Sequence, residues 1–204
     1  MYKPVNYISV PASVLPQHSS LPSERFTRIS SLVLDVGSKV LRELLTCCTT
    51  PSNCKLDQYM TASKPQILQL QKRKVLTQVQ VDIIFPPSGQ TDINEYDITL
   101  ASALLNNIYP FGPKEKQLII DLRTQRNELA HSTSTKMSEQ EFQTKWTKLQ
   151  TILTDLCKLC KDPNVDSKVK REILDIQKSG SCAIISKVTT IREELKKISQ
   201  LLEE

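Results

Sequence analysis

The sequence predicts an all-α protein: a helical bundle of four to five main helices followed by a helical or coiled-coil extension. Three observations predict it. Apolar residues recur at three- and four-residue steps, most clearly at Phe142, Trp146, Leu149, Leu153, Leu156 and Cys160. Helix punctuation is explicit, with a capping box at Ser138-Glu139-Gln140-Glu141, an Asp97 cap, and prolines at 86, 87, 110 and 163. Only residues 79–83 alternate like a strand, and no partner strand is visible, so they read as helix.

Taken in order, residues 1–22 form a flexible lead-in, carrying four prolines and several serines without a helical period. Residues 23–161 hold the helical domain and 162–204 the extension. Ser23 is the expected cap of a first helix, whose face is Phe26, Ile29, Val33, Val36, Val40 and Leu44, ending near Thr46. Gly37 inside it costs ~1 kcal/mol of helix propensity and suits the close approach of a neighbouring helix. Residues 47–63 read as a loop. Ser63-Lys64-Pro65 starts a second helix, with Leu68, Leu76, Val79 and Ile83 on its face, stopped by Phe85-Pro86-Pro87.

A third helix opens at Asp97, buries Ile98, Ala101, Leu104, Leu105 and Ile108, and stops at Pro110. Pro113 begins a fourth, running to about His131 with Leu118, Ile119, Leu122 and Leu129 as its core residues. Behind the Ser138 box lies the fifth. Asp162-Pro163-Asn164 breaks it, and a short helix is expected from about Ser167 to Lys178. Beyond it, Ile184, Val188, Ile191, Leu195, Ile198 and Leu202 form a narrow seam of about three heptads. That seam either zips to a coiled-coil partner or folds back on the bundle.

Composition narrows the function classes. A hydrophobic fraction of 39% supports a core, and a net charge of +5 permits an anionic partner without demanding one. Glycines at 37, 89, 112 and 180 are too dispersed for a glycine-rich phosphate loop. No apolar run approaches a membrane span, and the N-terminus lacks a secretory layout, so the expected location is cytoplasmic and no membrane partner is expected. Six cysteines fit a reducing setting. Cys157-Lys158-Leu159-Cys160 lacks a second pair at zinc spacing, so buried thiols, no metal and no cofactor are expected.

The chemistry gathers in Arg126-Asn127-Glu128-Leu129-Ala130-His131. On a helix, Arg123, Asn127 and His131 stand at i, i+4 and i+8, with Arg126 on an adjacent face. Guanidinium, carboxamide and imidazole together can grip a phosphate and move a proton. The bland alternative is a polar helix end, with His131 favoured by the negative pole of the helix dipole.

With these residues in place, the sequence resembles the HEPN superfamily, the higher-eukaryote and prokaryote nucleotide-binding domain. The type is that of the DAZ-interacting zinc-finger ubiquitin ligase and its relatives. Four pieces carry the resemblance: Leu34-Asp35-Val36-Gly37-Ser38-Lys39-Val40-Leu41-Arg42; Ile84-Phe85-Pro86-Pro87; Asp97-Ile98-Thr99-Leu100 with Leu104 to Ile108; and Ile120 through Arg126-Asn127 to His131. Phe142 and Trp146 extend it, so that it covers about residues 25–160. The loop around 109–113 departs from relatives by lacking a Gly-Trp pair, and the zinc-binding ligase part has no counterpart in these 204 residues.

The resemblance implies a HEPN-like bundle and an RNA-binding, metal-independent endoribonuclease cutting single-stranded RNA in a homodimer. His131 is then the general acid or base, Arg126 the phosphate clamp, and Asn127 a support for the imidazole or a phosphate donor. Arg123 and Lys136 become backbone contacts, and Glu128 faces solvent. The alternative is a non-catalytic HEPN module that binds RNA or protein partners and oligomerises. A third reading is a helical assembly adaptor without nucleic acid.

Overall fold

A computed structural model describes residues 21–49, 55–160 and 162–178. The expected flexible lead-in, apart from its last two residues, and the heptad seam at 184–202 lie outside the described residues. Among the described residues the fold is all-α, with no strand.

The frame is one continuous helical rod. It comprises α1 (Pro22–Ser31), a π-helical segment (Leu32–Gly37) and α2 (Ser38–Thr49). The expected Ser23 cap is corrected by two residues. Leu21 stands at the cap, Pro22 opens the first turn with its preset φ, and Glu24 accepts from the Leu21 N–H at 3.3 Å. The rod also runs past Thr46 to Thr49. Within the π segment, a Cβ on Gly37 would lie 3.2 Å from Leu122 Cδ1 and 3.6 Å from Ile98 Cδ1. Gly37 thus admits two helices against the rod, as its position in the sequence suggested.

The 47–63 loop and the single helix expected over 63–84 are both corrected. A short helix α3 (Leu56–Ala62) buries Met60. Then α4 (Lys64–Lys72) and α5 (Gln78–Ile84) are separate, because Lys74 takes a left-handed φ of 59°. There the Val75 N–H reaches back to Leu70 O at 2.9 Å, closing the last turn of α4. Thr77 then caps α5: its hydroxyl accepts from Gln80 N at 3.2 Å, while Gln80 Oε1 accepts from Thr77 N at 3.0 Å. The break rotates the buried face. Leu68 and Val79 are exposed, and Ile67, Leu70, Leu76, Val81 and Ile84 fill the interior.

The segment after α5 is tied down by Thr91. Its N–H donates to Asp57 at 2.9 Å, and its hydroxyl donates to Ile83 O at 3.1 Å and meets the Tyr96 hydroxyl at 2.8 Å. Tyr96 is fully buried, and its carbonyl accepts from Arg42 Nε at 2.9 Å. This seats Asp97, which caps α6 (Ile98–Ile108) by accepting from Leu100 N at 2.7 Å. A short link of residues 109–112 leads into α7 (Pro113–Ala130), which packs on α6 and on the π segment.

The last two helices close the core. α8 (Glu139–Leu159) is capped by Ser138 and buries Phe142, Trp146, Leu149, Ile152, Leu153, Leu156 and Cys157. α9 starts at Pro163 and runs to Lys178, four residues before the expected start at Ser167. Pro163 opens the helix rather than only breaking its predecessor, and Asp162 accepts from Asn164 N at 2.9 Å. Val165, Val169 and Ile173 join the same core as α1, α2 and α8, and Lys39 pairs with Glu172.

Candidate functional site

α7 buries an unusual residue. Its core register runs Ile119, Leu122, Arg126, Leu129, at steps of three and four. Arg126 therefore stands where an apolar residue would be expected, and it is only 4% exposed. That register is readable in the sequence, although the stripe of Arg123, Asn127 and His131 places Arg126 only on an adjacent face and says nothing of its burial.

Three groups surround this arginine. Asn127 Oδ1 accepts from Arg126 Nη1 at 3.0 Å. Asp97 Oδ2 lies 3.8 Å from Arg126 Nη2, while the other oxygen of the same carboxylate caps α6. Burial lowers the Arg126 pKa, Asp97 opposes that shift, and the like charge of Arg123 adds to it. Asp97 is half exposed, so it offsets the buried charge only in part. Asp97 was expected only as a cap; its link to Arg126 is a long-range contact that local sequence does not signal.

His131 occupies a different environment. It forms the C-cap of α7, with its N–H donating to Asn127 O at 3.0 Å, and it is exposed. Its imidazole makes no hydrogen bond or ion pair among the described residues. Asn127 thus supports the guanidinium through its side chain and His131 through its carbonyl. The segment beyond is anchored at Met137, whose N–H donates to Pro22 O at 3.0 Å and whose side chain is buried. That anchor limits how far the chain after His131 can swing.

Arg123 is half-buried beside Arg126, and Lys136 is exposed in the link to α8. Glu128 faces solvent as expected, yet it is engaged: it accepts from Lys145 on α8 at 2.8 Å and from Gln125 at 3.2 Å. Its charge is therefore partly spent away from His131. The structure brings Arg126, Asn127 and Asp97 into contact, with Arg123 alongside. No side-chain hydrogen bond or ion pair among the described residues joins that group to His131 or Lys136.

A family model, DZIP3/hRUL138-like HEPN, matches residues 53–117. Over those residues, about a third of the chain, the sequence is similar to that HEPN family. The match runs through α3 to α6 and into α7, and ends before Arg126. No curated protein and no solved structure matches the chain. No helix among the described residues is long and apolar enough to cross a membrane. No group of three or more His, Cys, Asp or Glu among them could hold a metal ion.

Proposed function

We propose that this HEPN domain binds single-stranded RNA and cuts it without a metal, as a cytoplasmic homodimer in which two copies of His131 face one strand. The observation that carries the reading is a contrast at the end of α7: a fixed, incompletely neutralised guanidinium and, five residues on, an exposed imidazole without a hydrogen bond or ion pair among the described residues.

Cleavage requires the ribose 2′-hydroxyl to lose its proton while its oxygen attacks the phosphorus. The phosphorane charge must then be held, and the 5′-oxygen must gain a proton as it leaves. One His131 takes the first proton and the copy from the other subunit gives the second, since each chain supplies a single motif histidine. Arg126 holds the charge that develops on the phosphate. An incoming phosphate competes with Asp97 for the guanidinium, and a carboxylate 3.8 Å away and half exposed is a weak competitor. Arg123 and Lys136 hold flanking phosphates, and the 184–202 seam offers a coiled-coil contact to a partner chain.

The second reading is a non-catalytic HEPN interaction module. The 4% exposure of Arg126 favours it, because a guanidinium so enclosed also serves as a tie between α6 and α7.

Labelled single-stranded RNA incubated in EDTA with wild type or with His131→Ala separates the two. The catalytic reading predicts cutting by wild type and a loss of ~10²–10⁴ in rate for the variant. RNA bound but intact with both proteins would leave the interaction module. Equal cutting by both would remove His131 from the chemistry.

A further inference from the structure

The turn between α4 and α5 gathers positive charge. Between Asp57 and Asp82 the chain carries Lys64, Lys72, Arg73 and Lys74 and no acidic residue. Lys72, Arg73 and Lys74 are consecutive and exposed, and none of them is ion-paired among the described residues. The two flanking carboxylates are held by uncharged donors instead. Asp57 accepts from Thr91 N at 2.9 Å, and Asp82 accepts from Gln78 Nε2 at 2.7 Å.

The backbone fixes where these cations stand. Arg73 N donates to Gln69 O at 3.0 Å, Lys74 N to Gln71 O at 2.9 Å and Val75 N to Leu70 O at 2.9 Å. Across the turn, Gln71 Nε2 donates to Gln78 Oε1, and Gln78 in turn holds Asp82, so a side-chain relay joins the end of α4 to α5. Helix-end electrostatics accounts for part of the composition, because the negative pole of α4 favours Lys72 and Arg73. It does not account for Lys74. That residue lies past the C-cap at a φ of 59°, where glycine or asparagine is the low-strain choice.

We propose that Lys72, Arg73 and Lys74 form a second contact for the phosphate backbone of single-stranded RNA, on a different helix pair from the α7 motif. The choice of RNA as the strand rests on the RNA-binding reading above. Each of the three side chains can meet a phosphate and release its counterions. The lysines act as point charges, and the guanidinium can grip two phosphate oxygens at once. Residues 60–84 hold no aromatic side chain on which a base could stack, so the contact reads backbone and not sequence. An anionic membrane also attracts cations, but α4 and α5 expose only Leu68 and Val79 as large apolar side chains, at 36% and 56%. Two such side chains give too little apolar surface for a helix that lies in a membrane interface.

The test measures binding of the full chain to a labelled single-stranded 2′-O-methyl RNA, which lacks the attacking hydroxyl and stays intact, over a series of salt concentrations. Phosphatidylserine vesicles form a parallel arm. The triple variant Lys72→Gln, Arg73→Gln, Lys74→Gln should bind the RNA roughly tenfold more weakly than wild type at about 0.1 M salt. Its plot of log affinity against log salt should be shallower by roughly 2, since a phosphate contact on a single strand contributes about 0.7. Lys74→Gly removes one cation and relieves the left-handed φ, so it should melt no lower than wild type and flatten the slope by roughly 0.7.

If wild type binds RNA and both variants match it in affinity and slope, the proposal is overturned and the RNA reading stands. Should the triple variant not fold, an unchanged slope for Lys74→Gly overturns it alone. Wild type without affinity for RNA would overturn both the proposal and the reading it rests on. Vesicle binding that the variants lose, with no RNA binding, would make the turn a membrane contact and overturn the proposal as well.

Discussion

α8 and the last turns of α7 pack against each other, and they fill their inward positions with opposite chemistry. α8 turns in Phe142, Trp146, Leu149, Leu153 and Leu156, with the rings of Phe142 and Trp146 5.5 Å apart. α7 turns in Gln125 and Arg126 beside Leu122 and Leu129. The first arrangement removes apolar surface from water and so stabilises the fold. The second takes a charge out of water against a carboxylate at 3.8 Å, which stabilises little or costs energy. Stability therefore resides in the rod, α6 and α8. The end of α7 gives up some of it to enclose the Arg126 guanidinium.

Substitutions can break this contrast, beginning with the core. Leu153→Ala empties a fully buried site on α8 and should cost ~2–5 kcal/mol, seen as a Tm drop of roughly 5–15 °C by circular dichroism. Asp97→Ala removes both the α6 cap and the partner of a buried charge, and should cost ~2–4 kcal/mol in a urea titration. Asp97→Asn keeps the cap and sharpens the point: it should fall between wild type and the alanine variant. If Asn melts like wild type, the carboxylate contributes nothing to Arg126.

Alkaline pH probes the buried acids. Burial raises the Cys48 thiol from 9.0 to about 11 and the Tyr96 hydroxyl from 10.0 to about 12. A raised folded pKa means that the native state keeps its proton while the unfolded chain loses it. Stability should hold below about pH 9 and fall as pH climbs toward 11. The Cys48 share is roughly 1 kcal/mol after allowing for its partial exposure, and Cys48→Ala should remove it from the melting curve. The smallest effect is expected from Lys145→Ala, at most ~0.5 kcal/mol, since its pair with Glu128 is solvent-screened. His131→Ala should likewise keep the unfolding free energy within ~0.5 kcal/mol of wild type, while the proposed mechanism has it slow RNA cleavage.

The sequence was most legible where apolar spacing and caps agreed. α8 followed from the Ser138 box and the Phe142–Leu156 stripe, and α6 from Asp97 and the paired leucines. Separating α4 from α5 turned on Thr77 and Gln80, a capping signal masked by the surrounding apolar residues, and on a left-handed Lys74 that no residue type announces. α3 was missed because seven residues with one buried side chain leave little periodicity. At the site, the motif and its helix were readable, and so was the core register of Arg126. Its partner was not. Asp97 meets Arg126 only because α6 and α7 fold back on one another, and the exposure of His131 depends on where α7 stops and where Met137 is pinned.

The central claim is that two copies of His131 complete one cleavage site. Mixing wild type with a tenfold excess of His131→Ala, under conditions where subunits exchange, tests it directly. If the site is shared, most wild-type chains pair with an inactive partner, and the rate per wild-type chain should fall about tenfold. An unchanged rate per wild-type chain would show that one His131 suffices and would contradict the account.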